Sequence, residues 1–171
     1  MTKVIKKKKL SIKEHALYLS ILEGDYFSII HYINFENINI NTIFEDGKSG
    51  LIIASEIGNI NVISAFISKG SELNYKDNYG NNALYYGLKY AFMTKDYSIP
   101  NYLIKKEIEI NETFAKIVEE ENIYLIHYLL TRGADINYLI NNNETVIQRS
   151  INNNSHTIVI KMLKNYHLIK N

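Results

Sequence analysis

Four short phrases ending in asparagine recur along the chain at a nearly fixed interval, and this recurrence restricts the fold more than any other feature. Asn-Ile-Asn-Ile-Asn closes at Asn41, Gly-Ser-Glu-Leu-Asn at Asn74, Glu-Ile-Glu-Ile-Asn at Asn111 and Gly-Ala-Asp-Ile-Asn at Asn137, spaced by 33, 37 and 26 residues. A second marker, the first apolar residue of an expected helix, falls at Leu17, Leu51, Leu84, Phe114 and Ile147, at intervals of 34, 33, 30 and 33. Two clocks near 33 predict an array of small supersecondary units. Each unit is too short to bury a core alone and is covered by its neighbour.

The spacing of apolar residues says what each unit contains. Leu51, Ala54 and Ser55 stand at i, i+3 and i+4 on one helical face, and their small members allow a neighbouring helix to approach closely. Gly58 ends that helix, Ile60, Val62, Ile63, Phe66 and Ile67 form the stripe of a second, and Gly70 supplies the left-handed residue after it. Leu125, Ile126, Leu129 and Leu130 repeat the plan before Gly133.

Two segments make the likeness specific. Asp77-Asn78-Tyr79-Gly80-Asn81-Asn82-Ala83-Leu84 resembles the Asp-x-x-Gly-x-Thr-Pro-Leu opening of an ankyrin repeat, and Tyr128 to Asn137 resembles the ending of its second helix. The resemblance covers roughly residues 11–168 and implies an all-α solenoid of about five helix-turn-helix units. These are residues 11–41, 42–75, 76–111, 112–138 and 139–168, preceded by a basic arm of residues 1–10, with the outer two units as caps. The Thr-Pro pair of the family is replaced by Ser49-Gly50, Asn82-Ala83 and Thr145-Val146. The third and fourth units are irregular. Between Ala91 and Ile99 the third carries about four extra residues, read as a bulge between its helices, with Pro100 in the first turn of the second helix. The connection from Asn111 to Phe114 is too short for the finger-like hairpin.

Composition narrows the function classes. Ile, Asn, Lys and Tyr, at 29, 22, 17 and 14 of 171 residues, reflect an A- and T-rich coding sequence and carry no functional message. The absence of cysteine removes disulfides, thiolate nucleophiles and cysteine zinc sites. Lys3, Lys6, Lys7, Lys8, Lys9 and Lys13 make the first 13 residues basic; the remainder holds 13 basic and 18 acidic residues, a net charge of minus five. A basic arm on an acidic body argues against a broad nucleic-acid surface. Lys13-Glu14 interrupts any signal-like apolar stretch, and no run is long enough to cross a membrane, so an intracellular protein is expected.

No constellation of residues indicates an enzyme, a cofactor or a metal. His15, His31, His127, His156 and His167 lack metalloprotease spacing, and His31 and His127 fall on outward positions of second helices. Gly47-Lys48-Ser49 lacks the upstream glycine and strand of a phosphate loop, and Glu119-Glu120-Glu121 reads as a solvated run. Lys6 to Lys9 would suit nuclear import, phosphate binding or a membrane leaflet, but without interleaved aromatics a solubilising tail is expected.

The third unit concentrates seven of fourteen tyrosines between Tyr75 and Tyr102. Tyr85 stands where the family buries a histidine, and Tyr102 on the inner face of its helix. By the family's positions, Tyr79 lies on a hairpin tip and Tyr90 near the outer end of a first helix, both facing a concave groove. Asp46, Lys48, Glu56, Asn78, Asn81 and Lys89 occupy equivalent groove positions, as do Glu45, Ile57, Lys76, Asn142, Glu144 and Asn153. Tyrosine suits such a site because it buries a large rigid area and keeps a polar tip. The resemblance thus implies a monomeric, non-catalytic module that binds another protein, extending to a host-directed effector or inhibitor in the cytoplasm or nucleus. Two other classes are compatible with the chain: nucleic-acid or membrane-surface association through Lys6 to Lys9, and self-association through Leu10, Ile12 and Leu168.

Overall fold

The structure, a computed structural model, describes residues 9–140 and 144–170, without the side chains of 168–170. Lys6, Lys7, Lys8, Asn142 and the side chain of Leu168 therefore lie outside the described residues. The chain divides into two compact units, one ending at Lys106 and one beginning at Glu107.

The first unit contains three antiparallel helix pairs: α1 (Ile12–Glu23) with α2 (Tyr26–Asn34), α3 (Gly50–Ile57) with α4 (Ile60–Ser68), and α5 (Ala83–Thr94) with α6 (Ser98–Lys105). Polar side chains start most of them. Ser11 and Glu14 form a reciprocal capping box on α1, while Asp25, Ser49, Asn59 and Asn82 each accept a backbone N–H from the first turn of their helix. Left-handed Gly24 and Gly58 stop α1 and α3. First helices pack on first helices, α1 on α3 and α3 on α5, and α2 packs on α4. Leu17, Leu51 and Leu84, the expected helix markers, are all fully buried in this stack.

The asparagine phrases have a mechanical role. The Asn41 side-chain oxygen accepts the backbone N–H of Glu72 at 2.8 Å, and Asn111 accepts that of Asp135 at 2.7 Å. Glu72 and Asp135 are each the third residue of their phrase, so the phrase closing at Asn41 is tied to the one closing at Asn74, and the phrase closing at Asn111 to the one closing at Asn137.

The four extra residues of the third pair do not bulge. They continue α5 by one turn to Thr94, where Lys95 adopts a left-handed conformation and closes the helix. Pro100 lies in the first turn of α6. The first helix also starts earlier than its marker suggested, at Ile12, because the Ser11 capping box precedes Leu17 by a turn and a half.

The second unit holds α7 (Asn111–Glu119) with α8 (Ile123–Thr131) and α9 (Val146–Asn152) with α10 (Thr157–Lys170). No hairpin precedes α7 among the described residues, as its shortened connection predicts. Between α8 and α9 a two-stranded ribbon pairs β1 (Leu139–Ile140) with β2 (Glu144–Thr145), Leu139 opposite Thr145. Arg149 clasps this ribbon: its Nε donates to Glu144 at 3.0 Å and its Nη1 to Glu119 at 3.1 Å. Glu121 accepts the backbone N–H of His156 at 2.8 Å, so two members of the acidic run have structural partners. Among the described residues the fold is all-α apart from this ribbon, and no helix is long and apolar enough to cross a membrane.

Candidate functional site

The site lies in the first unit, where two loops project beside the N-termini of α3 and α5. The first loop turns through Glu45–Gly47, with Ile43 bridging Ser49 and the Phe44 N–H donating to the Lys48 carbonyl at 2.8 Å. Asp46 and Gly47 are both left-handed there. Any Cβ on Gly47 would come within 2.4 Å of Asn78, so glycine is needed to seat the second loop against the first. The Asn78 N–H donates to the Asp46 carbonyl at 3.1 Å and joins them.

The second loop is organised by Asp77. One of its carboxylate oxygens accepts the N–H groups of Tyr79 and Asn81, each at 2.9 Å, and the other accepts the Tyr86 hydroxyl. Asn81 is also hydrogen-bonded to Tyr86. Burial, then the bond to Asp77, pushes the Tyr86 phenol above its ordinary range. Over the Tyr86 ring sits Lys48, its Nζ 4.6 Å from the ring centre and 2.6 and 2.8 Å from the two oxygens of Glu56. Glu56, Lys48, Tyr86 and Asp77 thus form one chain of contacts from α3 across the loops to α5. It is rigid because its members hold each other.

Around this scaffold the expected groove residues separate into two groups. Tyr79 is 62% exposed at its loop tip, and Asp46, Asn78, Glu56 and Lys89 also face solvent. Asn81 is instead buried, because its backbone N–H and side chain both serve the Asp77 loop. Lys48 is mostly covered by Tyr86 and Glu56, and Tyr90 is half-buried with its ring laid over Gly58 at the end of α3. The tyrosine cluster is accordingly mostly mortar: Tyr90 seals α5 to α3, Tyr102 donates to Ser64 at 3.1 Å, and Tyr85 and Tyr86 pack edge to face. Sequence reasoning passed over Asp77 and Tyr86 as site residues. The Asp of the Asp-x-x-Gly phrase was the available signal, since a carboxylate two residues before a turn commonly accepts its N–H groups. His31 and His127 are exposed, as their outward positions predict.

Comparisons with known proteins agree with this geometry. A profile of three ankyrin repeats matches residues 17–113. The chain is similar to an ankyrin repeat protein of fowlpox virus, 28% identical over 149 residues, 87% of this chain and 26% of that protein. It is similar to an ankyrin repeat protein of Acanthamoeba polyphaga mimivirus, 23% identical over 159 residues, 84% of this chain and 20% of that protein. Similarity also extends to the human transient receptor potential cation channel subfamily A member 1, 25% identical over 130 residues, 74% of this chain and 11% of the channel. The chain spans about a quarter or less of the length of these relatives. Since the profile covers more than half of the sequence and the helix pairs stack in its register, the chain belongs to the ankyrin repeat family, whose repeats are a generic protein–protein interaction module.

Proposed function

We propose that the protein binds a partner protein, without catalysis or a cofactor, through the loop-and-first-helix face of its first unit. The observation that carries this reading is the pre-ordered network Glu56–Lys48–Tyr86–Asp77, which holds exposed Tyr79 on a fixed loop. A recognition surface that is already ordered loses little entropy on association. Tyr79 is its aromatic anchor, and Asp46, Glu56, Asn78 and Lys89 supply the polar rim, while Lys48, Asn81 and Tyr90 support it from below. The five-unit division of residues 11–168, with residues 1–10 as an arm, belongs to the same reading. The viral relatives and the A- and T-rich coding bias favour a host-directed effector or inhibitor acting in the cytoplasm or nucleus of a host cell.

The test is affinity capture from host cytosol with wild type and a Tyr79→Ala/Lys89→Ala variant. The variant is expected to lose the captured protein at least about tenfold while its thermal unfolding is unchanged, since both side chains lie outside the core. Equal capture by both proteins would remove this face as the binding site.

A further inference from the structure

Of the acidic side chains on the loop-and-first-helix face, one has no partner among the described residues. Asp77 is buried and uses both oxygens on the second loop, Glu56 holds Lys48 with both of its own, and Glu45 has interactions of its own. Asp46 is exposed, and among the described residues nothing bonds to its carboxylate. The cations of the face are engaged elsewhere. Lys48 lies on Glu56 and the Tyr86 ring, Lys89 sits 5.8 Å from the centre of the Tyr85 ring, and Lys76 has contacts of its own. A second observation is aromatic. The Asp46 carbonyl accepts the Asn78 N–H at 3.1 Å, and Tyr79, the next residue, is 62% exposed. That bond and one further step along the chain put the Cα atoms of Asp46 and Tyr79 within about 11 Å of each other. The joint is tight, since any Cβ on Gly47 would strike Asn78.

We propose that Asp46 and Tyr79 together receive an arginine side chain of the partner protein. This rests on the partner-binding face proposed above and names the chemistry that the face reads. A guanidinium is planar and delocalised, so its edge forks two N–H groups onto a carboxylate while its face lies on an aromatic ring. One arginine thus engages both exposed groups at once, which neither an acidic nor an apolar side chain does. Lysine fits less well, being a strongly hydrated point charge without a flat face. The two arginines of the chain show the two halves of this contact: Arg132 lies over the Tyr128 ring at 5.2 Å, and Arg149 donates to Glu144 and Glu119. Because the joined loops are ordered before binding, the incoming arginine loses little beyond its own conformational freedom.

The test uses the full chain and a random peptide library displayed on phage. Selected peptides are expected to share an arginine. Synthetic copies in which that arginine is changed to lysine should bind at least about tenfold more weakly by fluorescence anisotropy. Asp46→Asn is expected to cause a similar loss. Asparagine also tolerates the left-handed backbone at this position, so the loop is retained and the helical circular dichroism is unchanged. The two changes should be coupled: against Asp46→Asn, the step from arginine to lysine should cost less than about threefold. Peptides that require Tyr79 but no arginine overturn the inference, as does binding indifferent to Asp46→Asn or a failure to enrich any peptide. The partner-binding face survives the first two outcomes as long as Tyr79→Ala abolishes binding. Peptides indifferent to both Tyr79→Ala and Lys89→Ala overturn that face as well.

Discussion

At the scale of single residues, Asp77 does the most. It fixes the loop that carries Tyr79 by accepting two backbone N–H groups and the Tyr86 hydroxyl, so the orientation of the exposed anchor depends on a carboxylate buried beneath it. Tyr86→Phe removes a hydrogen bond to a charged group and is expected to cost about 1.5–3 kcal/mol in urea unfolding. The same substitution has a signature in pH. A phenol whose pKa is raised by folding keeps its proton in the native state after the unfolded chain has lost its own. Its stabilisation is complete below the ordinary tyrosine value of about 10 and is lost as pH rises beyond it. Wild-type urea midpoints should fall more steeply above that pH than those of Tyr86→Phe; parallel curves would mean that Tyr86 is not the titrating group. The phrase containing Asp77 was visible in the sequence. Its connection to Tyr86, nine residues on and in a different element, was not.

Between elements, close contact depends on what is missing. Gly58 has a φ of +82°, and a Cβ there would come within 2.1 Å of the Tyr90 ring, so α5 can lean on the end of α3 only because that position has no side chain. Gly58→Ala is expected to destabilise by more than about 1 kcal/mol through both strain and clash. Tyr90→Ala should relieve the clash, so the double variant should be less destabilised than the sum of the single changes by at least about 0.5 kcal/mol. Strict additivity in calorimetry would show that ring and glycine do not meet. The glycine was legible from sequence as a helix stop, whereas its second use, as a seat for Tyr90, depends on the next repeat being stacked upon it. The extra turn of α5 follows the same logic. Sequence revealed a four-residue excess, and the structure places it in α5, which runs on to Thr94 before left-handed Lys95 closes it.

For the whole molecule, charge distribution decides between classes of partner. The surplus of lysine lies at the N-terminus and the site residues lie well inside the first unit, so binding of a protein through that unit should tolerate loss of the arm. Deletion of residues 1–9 is expected to leave affinity for the captured partner within about twofold and to leave its dependence on salt shallow. Loss of binding on deletion, with steep salt dependence in the intact chain, would favour a polyanionic ligand instead.

The sequence alone determined the repeat, because a period near 33 and a recurring apolar stripe are local properties, and short units must lean on one another whatever their surroundings. It also determined where α3 ends, through Gly58, since capping is chemistry between near neighbours. Only the tertiary structure decided which tyrosines of the cluster between Tyr75 and Tyr102 seal helix pairs together, and that Tyr79 among them is exposed. Exposure depends on what the neighbouring repeat places over each ring, and that is set by contacts between residues 9 to 38 positions apart.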